Sequence, residues 1–189
     1  MDSGNKEILE RMNAVTRIVS FKKEGRLKQI RYYCSNKEIA IELYDNNGVL
    51  LRRTGILPDG VVREYYGTGA VKKAITFNDG KAHGKCIDYY PSGEILEENT
   101  FRQGLLHGPG KMYRRDGMLW IEADYNDGKL HGVFTSYHDN GNIETRAEYK
   151  NGELNGYYAK YNRYGSLMEE GTFNQGKKQG DYKSYYETG

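Results

Sequence analysis

Three histidines recur in nearly the same words: His83 in DGKAHG, His107 in QGLLHG and His131 in DGKLHG, each 24 residues after the last. Imidazoles can ligate zinc or move protons, so the spacing poses a chemical question first. Equivalent residues two strands apart in a sheet lie ~9.6 Å from each other, whereas zinc needs nitrogens at ~2.0 to 2.1 Å. A ladder of that pitch does not converge on one metal, and Asn155 and Gln179 take the same place in NGELNG and QGKKQG. The expected role is a polar side chain bonding its own loop backbone, with no metal site.

Other chemistry is equally sparse. The chain has no GxSxG, P-loop or HExxH, and no Rossmann fingerprint between a strand and a helix. GLLHGPG (104–110) is glycine-rich, but no phosphate-cradling helix follows it. Glu97 with Glu98 and Glu169 with Glu170 alternate along strands, so the members of each pair face opposite sides. Cys34 and Cys86 stand far apart without CxxC spacing and read as ordinary thiols. The expectation is no enzyme, no catalytic residue and no cofactor.

Those six-letter stretches belong to a repeat of period 24. Gly80, Gly104, Gly128, Gly152 and Gly176 fall in step, as do Gly60, Gly84, Gly108, Gly132, Gly156 and Gly180. A third glycine series runs from Gly69 to Gly189, and Tyr65, Tyr89, Tyr113, Tyr137, Tyr161 and Tyr185 march with it. Two looser copies precede them, with Phe21, Gly25 and Tyr33 in one and Tyr44, Gly48 and Ile56 in the other. The step shortens between Ile56 and Gly60, where a loop changes length cheaply.

Each unit reads as a β-hairpin. KCIDYY (85–90) leads into the turn YPSG, where Pro91 suits position i+1 and Gly93 takes the positive φ of a G1 bulge. In the second strand, Leu119, Ile121, Ala123 and Tyr125 share a face in the order aliphatic, variable, small, aromatic. The tyrosines of the facing strand, Tyr89, Tyr113, Tyr137 and Tyr161, are expected on that face too. DGKLHG and its relatives then join one hairpin to the next. With no helical period to supply a second layer, the fold class is all-β: an elongated, single-layer, antiparallel β-hairpin repeat ribbon of about eight units. Residues 17–189 form the repeats, and 1–16 form an N-terminal cap or a disordered segment, with Ser3 placed to cap a short helix through Met12.

The pattern G-x-x-x-x-Y-x-x-x-G, followed by an aliphatic, an aromatic and DGKLHG, resembles the MORN repeat. It is closer still to the bacterial variant of that repeat, found in proteins described as antitoxin components of toxin–antitoxin systems. The resemblance spans about residues 17–189. It implies single-layer hairpin ribbons used as interaction platforms, and in some eukaryotic members association with phospholipid or with a copy of themselves. No catalytic residues come with it.

The functional expectation is a non-catalytic scaffold that binds a protein partner, conceivably as an antitoxin-like component. Rings at the Tyr89 and Phe101 registers are assigned to structure; Tyr90, Arg114, Phe134, His138, Tyr158 and Tyr182 are the candidate partner-binding residues. An alternative is a phospholipid or membrane-surface module, because residues 17–31 carry six basic residues against Glu24 alone. Lys22, Lys23, Arg26, Lys28 and Arg31 are the candidate lipid-binding residues. A distant alternative is cell-wall glycan binding, since YYPSGEI loosely resembles choline- and glucan-binding repeats, which however rely on abundant Trp where this chain has Trp120 alone. The net charge of +2 gives no field suited to nucleic acid. Without an apolar leader or membrane-length run, the expected compartment is the cytoplasm, unless a leader has been removed. Gly189 is the turn glycine of an unfinished unit, so the chain is expected either to be truncated or to pair its C-terminal edge strand with another chain.

Overall fold

The computed structural model describes residues 15–21, 27–34, 37–55, 57 and 59–185. The expected helix near Ser3 and the end of the chain at Tyr186 to Gly189 lie outside these residues. Every regular element described is a strand. They are β1 (Val15–Phe21), β2 (Leu27–Cys34), β3 (Lys37–Tyr44), β4 (Leu50–Gly55), β5 (Gly60–Tyr65), β6 (Val71–Asn78), β7 (Lys81–Tyr89) and β8 (Ile95–Arg102). There follow β9 (Leu105–Tyr113), β10 (Leu119–Asn126), β11 (Lys129–Tyr137), β12 (Ile143–Lys150), β13 (Glu153–Tyr161), β14 (Leu167–Asn174) and β15 (Lys177–Ser184).

From β5 to β15 the chain is one antiparallel meander, and eleven strands span on the order of 50 Å. Two turn types alternate along it. The first is the expected three-residue loop with a G1 bulge: Gly93 N–H donates to Tyr90 O at 2.9 Å, and Tyr90 N–H to Glu94 O at 2.8 Å. The second is the two-residue turn of the DGKLHG stretch, in which both central residues have positive φ, 49° at Asp127 and 83° at Gly128. That pair of angles makes a type I′ turn, whose twist matches a hairpin and which admits Asp or Asn before Gly at least cost. Gly104, Gly128, Gly152 and Gly176 also reach back one unit, as where Gly128 N–H donates to Leu106 O at 2.8 Å.

The first four strands depart from a continuous meander. β1–β4 form their own antiparallel set, and β5 lies beside β1, in parallel, through Val15 opposite Val62 and Thr16 opposite Arg63. The sheet order is therefore β15 down to β5, then β1, β2, β3 and β4. The join from β4 to β5 reads GILPDG where the later joins read like NDGKAHG. The Asp-Gly pair is present at 59–60, but proline directly before it has no N–H, so one of the two hydrogen bonds that close a type I′ turn between β4 and β5 is missing. The shortened step is thus the point where the topology changes, rather than a cheap loop deletion.

By this route β1–β4 fold over the start of the ribbon and build the one thick core among the described residues. Val15, Ile30, Tyr32, Ala40 and Leu57 bury against Val62, Ile75, Phe77 and Cys86. The Tyr32 and Phe77 rings meet edge to face at 6.4 Å. Glu42, only 3% exposed, accepts hydrogen bonds from Tyr32 Oη and Tyr44 Oη, each at 2.8 Å, and from the Arg53 guanidinium. Burial opposes its charge, but the bonds from Tyr32, Arg53 and Tyr44 outweigh burial and hold the carboxyl below its ordinary value of 4.5. Burial, reinforced by Glu42, pushes the Tyr44 hydroxyl up to about 12.

A carboxyl held low in the fold stabilises it fully above the unfolded value and loses that contribution as pH falls through the folded one. Acidification below 4.5 is therefore expected to loosen β1–β4 before the ribbon. Hydrogen exchange of the β2 and β3 amides between pH 6 and 3 is the measurement, with a flatter profile expected for Glu42→Gln.

Candidate functional site

A sheet one layer thick has two open faces, and the bulges decide which residues reach each. In β10, Ala123 lies opposite Gly110 on one side and Phe134 on the other; its neighbour Glu122 lies opposite Lys111 and Thr135. Ala123 thus belongs to a ring-bearing face and Glu122 to a charged one. The register slips between Leu119 and Ile121, next to Tyr113. Along β9 alternation sets Tyr113 with Lys111 on the charged face. The extra residue Trp120 in β10 returns Ile121 to the ring face although Leu119 pairs with Tyr113, contrary to the expectation that the tyrosines share the face of Ile121 and Ala123. On the charged face Tyr113 Oη donates to Glu98 at 3.3 Å, Tyr137 to Glu122 at 2.6 Å and Tyr185 to Glu170 at 2.7 Å. Each bond links a tyrosine to the preceding hairpin. Burial and the carboxylate push the Tyr137 hydroxyl up to about 12.

Sequence reading missed Glu98, Glu122 and Glu170 as tyrosine partners. The signal was present, a carboxylate 15 residues before each tyrosine, but it is legible only once the pairing of neighbouring strands is known, as where Glu98 lies opposite Lys111, two residues before Tyr113. The opposed members of the glutamate pairs behave as alternation requires: Glu97 accepts from Asn99 and Glu169 from Tyr182 on the ring face.

The six partner-binding candidates divide into two groups. Tyr90, Arg114 and His138 occupy the first position of successive hairpin turns, and each reaches the next unit. Tyr90 Oη donates to Tyr113 O at 2.9 Å, Arg114 Nη2 to Tyr137 O at 2.8 Å, and His138 Nε2 to Tyr161 O at 2.9 Å. Tyr66 does the same with Tyr89 O at 2.6 Å. Three chemically different side chains perform one task, tying a turn to a strand-end carbonyl 23 residues ahead.

Phe134, Tyr158 and Tyr182 form the other group, a row on the ring face. Phe134 meets Tyr149 edge to face at 6.0 Å, and Tyr158 meets Phe173 at 5.7 Å. Tyr158 stacks on Tyr182 at 6.5 Å, while the Lys178 ammonium sits 3.4 Å from the Tyr182 ring centre. The residue each ring faces is small: Ala147 lies between Phe134 and Tyr158, and Gly171 between Tyr158 and Tyr182. A Cβ on Gly171 would meet the Tyr182 ring at 2.5 Å, so the missing side chain is what admits the ring.

The histidines stay apart. His83, His107 and His131 each keep Nδ1 buried without a hydrogen-bond partner, although His107 Nδ1 lies 3.5 Å from Asp127 Oδ1 without hydrogen-bond geometry. Asp59, at the same register one unit earlier, accepts from Asp79 N–H at 2.8 Å; it serves the next turn rather than its own loop. Among the described residues no three His, Cys, Asp or Glu side chains converge as metal ligands. Nor does the charged face bring a nucleophile to a base: its groove of about 240 Å³ runs beside Lys111, Glu122, Asp124 and Thr135, where Lys111 and Glu122 pair at 3.9 Å. Of the lipid candidates, Lys28 is exposed and Arg31 pairs with Glu38 at 3.5 Å; Lys22, Lys23 and Arg26 lie outside the described residues.

Removing a clasp should cost stability without changing the faces. Tyr90→Phe is expected to lose about 1 kcal/mol, the net worth of one hydrogen bond. Urea unfolding followed by Trp120 fluorescence measures it, and an unchanged midpoint would show the clasp to be idle.

The comparisons with known proteins agree with this architecture. The MORN repeat variant matches residues 58–79, 82–103 and 130–151, and the MORN repeat matches 100–119. A search of curated protein sequences finds no match for the chain. The matched segments fall on β5–β9 and on β11 and β12 and share their period with the other strands of the ribbon, so the chain carries repeats of the MORN family, which are commonly modules for protein and membrane interaction.

Proposed function

We propose that this chain is a non-catalytic platform that takes a protein partner on the ring-bearing face of β11–β15. One observation carries the reading. Phe134, Tyr149, Tyr158, Phe173 and Tyr182 form a continuous, half-buried row that no described element covers, whereas Phe77 at the same register lies under β1–β4. Aromatic side chains held by their neighbours make good anchors, since little entropy remains to be lost on binding. Tyr90, Arg114 and His138 drop out of the binding set because their polar tips are spent on the ribbon. The narrower version, an antitoxin-like component whose partner is a toxin in the cytoplasm, rests on the resemblance alone.

A photo-crosslinking side chain placed at Tyr158 in the source cell is expected to capture a discrete protein. One placed at Val133, on the opposite face, is expected not to. Phe134→Ser with Tyr158→Ser should reduce co-purification of that protein at least tenfold, and Tyr90→Phe should leave it unchanged. Equal capture from Val133 would defeat the reading.

A membrane-surface reading has its own support in β1 and β2. Phe21 is 61% exposed and Ile18 49%, and Ile18 lies opposite Arg31, with Lys28 on the same strand. Rings and aliphatics beside cations suit an anionic lipid surface. Sedimentation with phosphatidylserine vesicles should bring down the protein at low salt, and Lys28→Ala with Arg31→Ala should weaken it several-fold. Binding that ignores both lipid charge and salt would remove this reading.

A further inference from the structure

We propose that β1–β4 are a displaceable cover, which when closed withholds the first part of the ring-bearing face and when open extends that face to the partner. The inference rests on the reading of this face as the binding face. Its own support lies in how the four strands are attached.

Internally β1–β4 are well tied. Their meander is continuous, with Val19 opposite Ile30, Ile30 opposite Glu42, and Glu42 opposite Arg53. The bonds of Tyr32, Tyr44 and Arg53 to Glu42 all stay within this set. The ties to the ribbon differ in kind. Among the described residues, which begin at Val15, the sheet continues into β5 through Val15 beside Val62 and Thr16 beside Arg63. Arg17 and Glu64 make a long ion pair at 3.8 Å, and Glu64 has a closer cation in Lys72 at 2.8 Å. Among the described residues the Arg53 guanidinium also comes close to Gly80, and the broad contact is apolar and non-directional: Ile30, Tyr32 and Ala40 clustered with Val62, Ile75, Phe77 and Cys86. Such a contact separates as a unit more readily than a registered ladder.

The surface that opening would expose is of the same chemistry as the free row, because Phe77 repeats as Phe101, Tyr125, Tyr149 and Phe173, and Val62 and Cys86 repeat as Phe134, Tyr158 and Tyr182. A partner suited to the rings of β11–β15 would therefore find the same register continued toward β5. The cover and the partner compete for one face.

Cys86 is a built-in reporter. It is 3% exposed beneath the cover, and burial pushes its thiol up to about 11, so alkylation requires opening. Trp120, on β10 and 39% exposed, reports the ribbon. The experiment is iodoacetamide labelling of the full chain in a urea series, read at Cys86 by peptide mass spectrometry, with Trp120 fluorescence in parallel. Labelling of Cys86 is expected at urea concentrations that leave Trp120 unchanged. Phe77→Leu should raise the Cys86 rate about tenfold without moving the Trp120 midpoint, while Tyr149→Leu, the uncovered equivalent, should leave the Cys86 rate unchanged. Cys86 labelling that follows the Trp120 transition in the wild type and in both variants would overturn the cover. The test needs no partner: labelling ahead of Trp120 supports the cover even if crosslinking at Tyr158 captures nothing, and capture at Tyr158 with coincident transitions sinks the cover alone.

Discussion

Lateral contact between successive hairpins is the constraint from which the rest of this molecule follows. In a sheet one layer thick no side chain has an opposing layer to bury against, so each residue must find its partner one strand or one unit away. The ribbon does this on three levels. Turn side chains clasp the next strand-end carbonyl, tyrosines reach back to carboxylates on the charged face, and rings interlock edge to face over Ala147 and Gly171. Each contact is worth little, about 1 kcal/mol for a hydrogen bond and ~0.5–1.5 kcal/mol for a ring pair beyond its buried area. Repetition makes the sum large.

Much of this was legible from the letters. The 24-residue period, the turn glycines and the absence of a helical pattern dictate the hairpins, because Asp-Gly and Pro-x-Gly turns act over two to four residues. The faces were half legible. Alternation places Ala123 and Tyr125 correctly, and along β9 it sets Tyr113 with Lys111; what fails is carrying a face across the turn from Leu119 to Tyr113, because the bulge at Trp120 offsets Leu119 from Ile121 and no letter marks it. Among the candidate residues, Tyr90, Arg114 and His138 look variable and therefore free, yet each bonds a strand-end carbonyl, a task set by reach that tyrosine, arginine and histidine satisfy alike. Phe134, Tyr158 and Tyr182 look variable in the same way, and their rings lie in the half-buried row.

The fold-back of β1–β4 is the part no local rule gives. GILPDG says that a type I′ turn is weakened there, not where β5 goes instead. That choice is made by distant residues, Tyr32 on Phe77 and Ile30, Ala40 and Val15 around Val62 and Cys86. Buried Glu42 belongs to the same logic. A charged group at 3% exposure costs several kcal/mol unless its hydrogen bonds are made, and it is tolerated because Tyr32, Tyr44 and Arg53 converge on it only in this arrangement of strands.

The same constraint shapes what the molecule can do. A surface held by lateral contacts needs no pocket to be rigid, and the period sets His83, His107 and His131 one per unit rather than together. Recognition of something extended is favoured, since the face offers one equivalent anchor per hairpin along its length. At the N-terminal end that surface is met by a second layer from the same chain. The core of β1–β4 on β5–β7 shows what satisfies these rings, namely a sheet face carrying aliphatics and a tyrosine at matching pitch. A partner that presents such a face to Phe134, Tyr158 and Tyr182 would repeat, farther along the ribbon, a contact the chain already makes with itself.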